Sequence, residues 1–171
     1  CGLFALFCII CKINSNNKNY LICLSVSMGS QLMNSLSKKI SIVDYGTSNL
    51  ASIMRSFTKV NARIEIISSS KSIENANRLI LPGVGSFGNG MNKLKKLDLI
   101  HAINKFVKKG NPILGICLGM QMFLEGSEEN LQTEGLGFMS GKVIKISNDV
   151  KIGTARKTPH IGWSNLLFND G

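Results

Sequence analysis

The chain has 171 residues, 44% of them hydrophobic, and carries 20 Lys and Arg against 10 Asp and Glu for a formal net charge of +10. That is enough for one globular domain with its own core. The lysines are scattered or in short pairs and the aromatic residues, 6% of the chain, do not interleave with them, so the charge reads as solvated helix faces and not as a nucleic-acid grip.

Residues 1–39 hold two short apolar runs separated by a polar tract, and neither run approaches the ~20 residues that a membrane helix needs. The first has no basic segment before it and no small-residue cleavage site after it, so it does not read as a signal peptide. The chain opens with Cys where Met28 or Met33 would be natural starts. Residues 1–39 are therefore expected to be an N-terminal extension, disordered or foreign to the native protein, and residues 40–171 a partial domain. Four of the five cysteines lie in this first stretch, and neither histidine stands at zinc-ligand spacing from them, so no metal site is expected.

From residue 40 the pattern alternates. Ile40-Ser41-Ile42-Val43, ended by Asp44-Tyr45-Gly46, predicts a strand and a turn. Leu50, Ile53, Met54 and Phe57 recur at helical spacing. Ile64, Ile66 and Ile67 predict a second strand, and Arg78-Leu79-Ile80-Leu81 a third, stopped by Pro82-Gly83. Met91, Leu94, Leu97, Ile100, Ile103 and Phe106 share one face and predict one long helix with Gly110 as its stop. Pro112-Ile113-Leu114-Gly115-Ile116 predicts a buried strand that turns directly into a helix at Leu118. From Gly137 the pattern becomes β-rich, with Val143-Ile144-Lys145-Ile146 and residues 161–168 as strands. The predicted fold is α/β: a doubly wound, mostly parallel sheet with helices on both faces.

Gly115-Ile116-Cys117-Leu118-Gly119 has the form G-x-C-x-G between a strand and a helix, the thiol version of a nucleophile elbow. A turn that sharp leaves no room for side chains on its flanks, so both are glycine, and the nucleophile projects from the tip. The helix start is expected to favour thiolate at Cys117, with the Leu118 N–H placed to hold an oxyanion. A buried structural cysteine between two packing glycines would show the same five residues. The second element is Leu81-Pro82-Gly83-Val84-Gly85, a small-residue loop at the same carboxyl edge of the sheet, where open parallel sheets bind ligands. Its backbone N–H groups suit an oxyanion hole; a plain turn is the alternative.

These two segments belong to a longer series. Ile42-Val43-Asp44-Tyr45-Gly46-x-x-Asn49-Leu50, Leu81-Pro82-Gly83-Val84-Gly85-x-Phe87-x-x-Gly90-Met91, Gly115-Ile116-Cys117-Leu118-Gly119-Met120-Gln121, Ser127-Glu128-Glu129, Gly135-Leu136-Gly137 and Pro159-His160-x-Gly162-Trp163 occur in that order. The series resembles the glutamine amidotransferase subunits of imidazole glycerol phosphate synthase, within the class I glutamine amidotransferases. The elbow alone indicates only the class; the D-Y-G-x-x-N and P-H-x-G-W segments indicate the subunit. The resemblance implies Cys117 as nucleophile, Gly83, Val84, Gly85 and the Leu118 N–H as oxyanion hole, and Gln121 and Glu129 as holders of the substrate glutamine. It implies that Asn49, Pro159, His160 and Trp163 face a synthase (cyclase) subunit in a heterodimer in the cytoplasm, with no cofactor, no nucleic acid and no membrane. A solvated acid at Glu129 and core packing of Trp163 are the plainer readings of those two residues.

The chain departs from the pattern in two places. Ser48 stands where the family usually has Gly, which puts the local turn in question. The family's catalytic His and Glu come from a later H-P-E segment that these residues do not contain, and neither His101 nor His160 matches it; the domain is expected to be cut at its C-terminus. Three other readings remain: the same glutaminase feeding a different synthase such as a surface-sugar amidotransferase, a non-catalytic binding subunit, and a different hydrolase or peptidase on the same elbow.

Overall fold

The structure is a computed structural model that describes residues 39–129 and 132–144. Its first sheet contains β1 (Ile40–Val43), β2 (Ile64–Ile67), β3 (Leu79–Leu81) and β4 (Ile113–Gly115), all parallel, in the order β2-β1-β3-β4. The helices between them are α1 (Leu50–Thr58), α2 (Ser70–Glu74), α3 (Phe87–Lys96) and α4 (Ile100–Lys108). All four strands and the helix of Leu50, Ile53 and Phe57 stand where the sequence predicts them.

Strand alternation divides the core. Ile40, Ile42 and Ile80 point to one face, where they meet Ile53, Leu50 and Phe57 of α1. Val43, Leu79, Leu81 and Ile113 point to the other, against Ile73 of α2, Phe87, Met91 and Leu94 of α3, and Ile103 and Phe106 of α4. Both faces of the sheet carry helices, as a doubly wound fold requires. The chain steps from β1 outward to β2 and then back across β1 to β3. The winding direction thus reverses between β1 and β3, which makes a crevice at the carboxyl ends of those two strands.

The predicted long helix is two helices. α3 ends at Lys96 and α4 begins at Ile100, with Asp98 at φ 53 between them. The Asp98 N–H donates to Lys95 O at 3.1 Å and the Leu99 N–H to Leu94 O at 3.0 Å. This is the paired-bond C-terminal motif of Schellman type, closed by Leu94 and Leu99, both fully buried. The apolar spacing runs straight through the corner because Leu99 packs beside Leu94. Asp takes the left-handed position that glycine usually marks, so no stop signal stands in the sequence. Ser70 Oγ donates to Asp98 O at 2.7 Å and ties the corner to α2.

After β4 comes α5 (Leu118–Gln121), a single turn, and then a second sheet of order β6-β5-β7 formed by β5 (Leu124–Ser127), β6 (Thr133–Glu134) and β7 (Met139–Val143). The β-rich character starts earlier than the sequence predicts, because Gly126 and Gly135 let β5 and the chain after β6 lie closer than side chains permit. Of the strand predicted at residues 143–146, Val143 lies in β7 and Ile144 follows it; Lys145 and Ile146, like the strand predicted at 161–168, lie outside the described residues. So do 1–38 of the expected extension.

Candidate active site at the β1–β3 crevice

β4 delivers the chain to Cys117 at φ 54 and ψ −115, a conformation that side chains other than glycine rarely adopt. The adjoining glycines explain how it is held. A Cβ on Gly115 would lie 2.6 Å from Met120 Cα, and one on Gly119 would lie 1.8 Å from the Leu81 carbonyl oxygen. The elbow is therefore pressed into the end of β3 on one side and onto its own helical turn on the other. Cys117 is exposed at the tip and its sulfur is unpaired. The helix behind it is only four residues long, too short for the macrodipole that the sequence reading assigns to it. What remains for the sulfur is the local N–H groups, and the Met120 and Gln121 N–H groups both turn back to Cys117 O.

The P-G-V-G loop lies against this elbow: a Cβ on Gly83 would sit 3.0 Å from Leu118 Cβ. The peptide joining Gly83 and Val84 is bonded at both ends. Its carbonyl accepts the Leu118 N–H at 3.3 Å, and its N–H donates to Thr47 O at 2.6 Å. Of the groups expected to form the oxyanion hole, the Val84 N–H and the Leu118 N–H are thus spent on protein partners. Gly85 follows at φ +102 in open space, and the Val84 side chain is exposed.

Three contacts from the loop after β1 hold this arrangement, and the sequence reading missed them. The Tyr45 hydroxyl, on a residue only 2% exposed, donates to Pro82 O at 2.6 Å. Thr47 O receives the Val84 N–H, and Lys93 Nζ of α3 donates to Gly46 O at 2.6 Å. Burial pushes the Tyr45 hydroxyl up to about 12, with Cys117 acting in the same direction and the nearby Thr47 hydroxyl opposing both. Thr47 Oγ1 itself is buried and makes no well-formed hydrogen bond. Tyr45 lies two residues after β1, but nothing local in the sequence marks its bond to Pro82, and a backbone carbonyl such as Thr47 O leaves no signal either.

Glu129 comes to the same loop from the other side. It is exposed, and its Oε2 accepts the Phe87 N–H at 2.9 Å. This supplies the cap that Ser86, the residue before α3, does not make with its own side chain. Gln121 is half-buried at the end of α5, one turn from Cys117. The fold thus gathers Cys117, Leu118, Gln121, Gly83, Val84, Gly85 and Glu129 around one crevice. Asn49 is exposed and caps α1, accepting the Ser52 N–H at 3.2 Å, so it has a local role whatever it faces. The departure at Ser48 does not strain the backbone, because the positive φ falls on Gly46, but Ser48 Oγ is buried and makes no well-formed hydrogen bond. His101 is exposed on α4 near Glu74. Pro159, His160 and Trp163 lie outside the described residues. So does the Cys8–Cys11 pair, which has C-x-x-C spacing. Among the described residues no group of three or more His, Cys, Asp or Glu is placed to hold a metal ion, and no helix is long and apolar enough to cross a membrane.

The sequence model of the family described as "Glutamine amidotransferase class-I" matches residues 41–170. The chain belongs to the class I glutamine amidotransferase family. The imidazole glycerol phosphate synthase subunit HisH of Legionella pneumophila is 45% identical over 128 residues, which are 75% of this amidotransferase chain and 60% of the relative. The HisH subunit of Prochlorococcus marinus (strain MIT 9211) is 44% identical over 131 residues, 77% of this chain and 59% of its own. The chain therefore spans about 60% of the length of the curated relatives it matches. A solved glutamine amidotransferase superposes with a TM-score of 0.54 at 15% identity, covering 65% of this chain and 58% of its own. A putative peptidase E from Listeria monocytogenes EGD-e does so at 0.50 and 10%, covering 60% and 63%. At these identities the likeness shows the fold alone.

Proposed function

We propose that the protein is the glutaminase subunit of imidazole glycerol phosphate synthase, hydrolysing glutamine through Cys117 and passing ammonia to a cyclase subunit with which it forms a heterodimer in the cytoplasm. The observation that carries the reading is the exposed thiol at φ 54 on an elbow braced by Gly115 and Gly119, in a chain 45% identical to HisH of Legionella pneumophila. In the full-length protein the Cys117 sulfur attacks the side-chain carbonyl carbon of glutamine, the carbonyl becomes an oxyanion, and its collapse expels ammonia and leaves a γ-glutamyl thioester. Water then releases glutamate, with a histidine from the family's later segment moving the protons. Glu129 faces the α-ammonium of the substrate, and Gln121 its polar head, as donor and acceptor. Together they favour an amino-acid amide over a peptide bond. Asn49, Pro159, His160 and Trp163 face the cyclase, and neither a nucleic acid nor a membrane takes part.

Glutaminase chemistry of this kind calls for an oxyanion hole that opens only when ammonia can be used. The Gly83–Val84 peptide supplies the means, since turning it over releases the Leu118 N–H and redirects the Val84 N–H in one motion. Each hydrogen bond given up is worth about 0.5–1.5 kcal/mol net, so the resting state is favoured by a few kcal/mol at most. Cyclase binding can shift that balance only by preferring one loop state to the other. The reading is tested by mixing full-length protein with the cyclase subunit and following glutamate and ammonia. Stimulated glutamate release supports it. Indifference to the cyclase together with stimulation by a sugar-modifying synthase would keep the amidotransferase chemistry and remove the histidine-pathway role.

A further inference from the structure

We propose that Tyr45 is a positioning residue for the glutaminase reaction: its hydroxyl, by donating to the Pro82 carbonyl, fixes the near end of the Gly83–Val84 peptide so that this peptide alone turns over. The inference rests on the glutaminase reading above and adds to it a residue that acts through the Pro82 carbonyl.

Two adjacent peptides are held in different ways. The Pro82–Gly83 peptide is held through its carbonyl by a phenol that lies in the core, 2% exposed, at 2.6 Å. Pro82 is buried and has no N–H of its own. The preceding carbonyl, Leu81 O, accepts the Ile116 N–H at 3.0 Å, so the chain up to Pro82 is tied to β4. The Gly83–Val84 peptide has only backbone partners, one of them at 3.3 Å, and an oxyanion can take the place of Thr47 O on the Val84 N–H and of Gly83 O on the Leu118 N–H. Rotation of one peptide needs freedom at the residues on either side of it. Gly83 has that freedom, and it must be glycine, because a Cβ there would lie 2.3 Å from the Tyr45 hydroxyl oxygen. The phenol therefore fills the space beside the Gly83 Cα while holding the carbonyl just before it. Without the hydroxyl, Pro82 O is left as a buried acceptor with no partner, and motion spreads into the Pro82–Gly83 peptide. The Val84 N–H then has no single place to arrive. Because burial keeps the phenol protonated to about pH 12, the anchor donates at every pH at which the reaction runs.

The experiment uses full-length protein with the cyclase subunit, with active sites counted by iodoacetamide labelling read at the peptide that contains Cys117, since the chain has four further cysteines. Tyr45→Phe is expected to lower the stimulated kcat per labelled site by about tenfold or more, the scale on which an oxyanion donor matters. The KM for glutamine and the iodoacetamide labelling rate are expected to stay within about twofold, since neither needs the oxyanion hole. Replacing Tyr45 by 4-aminophenylalanine, which keeps a donor at the same reach, is expected to restore most of kcat. A kcat for Tyr45→Phe within about twofold of wild type, or a loss that 4-aminophenylalanine fails to restore in a folded protein, overturns the role of Tyr45. If Tyr45→Phe does not fold, the 4-aminophenylalanine protein decides alone: full rate supports the anchor, and a slow folded enzyme refutes it. A wild-type protein that hydrolyses no glutamine with any synthase would instead remove the glutaminase reading itself.

Discussion

At Cys117 the backbone stands at φ 54 and ψ −115, and a side chain there costs on the order of 1–3 kcal/mol. Cys117→Ala keeps a Cβ and hence the strain, so it should unfold in urea close to wild type while losing all glutamine hydrolysis. Cys117→Gly removes the Cβ, and we expect it to be more stable than Cys117→Ala by about 1 kcal/mol. Equal midpoints for the two variants would mean that the elbow is relaxed. Tyr45 makes a second prediction at this scale. Its folded pKa of about 12 lies above its ordinary value of 10.0, so the folded state holds the proton more tightly. Its contribution to stability is complete below about pH 10 and is lost as pH rises towards 12. In urea titrations, wild type should therefore lose stability relative to Tyr45→Phe as pH rises from about 10 towards 12. The glycines flanking Cys117 were legible in the sequence because sterics act on the chain locally. The Tyr45–Pro82 bond was not, because it joins residues 37 apart and depends on which strands become neighbours.

Among the elements, the corner between α3 and α4 shows where periodicity misleads. The hydrophobic face continues across residues 97–99 while the helix axis does not, since Leu99 is needed beside Leu94 and not one turn further on. Asp98 at φ 53 is the strained residue of the corner, and its ties, its N–H to Lys95 O and Ser70 Oγ to its carbonyl, are made by its backbone and survive loss of the side chain. Asp98→Gly should therefore raise stability by about 1 kcal/mol, read from the urea midpoint. The start of α3 carries a prediction that divides structure from binding. Glu129 caps that helix through Phe87 and is proposed to meet the substrate ammonium. Glu129→Gln keeps an acceptor but loses the charge, so it should raise the KM for glutamine with stability unchanged. Glu129→Ala should raise KM and also cost about 1 kcal/mol. Equal stability losses in both would show that the charge, not the acceptor, serves the fold. The four strands and α1 could be read in advance because each spans one uninterrupted pattern. The second sheet could not, since Leu124-Glu125-Gly126-Ser127 and Thr133-Glu134 pair through close backbone approach at glycines and not through an apolar alternation.

For the whole molecule, the reversal of winding between β1 and β3 explains why the residues of the crevice come from four separate stretches of chain. The loop after β1 supplies Tyr45 and Thr47, the loop after β3 supplies Gly83, Val84 and Gly85, the turn after β4 supplies Cys117, Leu118 and Gln121, and the end of β5 leads to Glu129. The class was legible from motif spacing, and so was the elbow that exposes Cys117. The state of the site was not, because whether the Val84 N–H faces Thr47 or the substrate is a matter of one peptide's orientation, which the sequence permits either way. On the function proposed above, the chain is part of a partner-gated glutaminase whose oxyanion hole is closed at rest. This gating is tested most directly by steady-state glutamate release from full-length protein with and without the cyclase subunit, with Cys117→Ala as the blank. The account predicts a stimulation of about 10²–10³, the value of one oxyanion donor, and no release from Cys117→Ala in either condition. Equal rates with and without the cyclase, or release from Cys117→Ala at the wild-type rate, would contradict it.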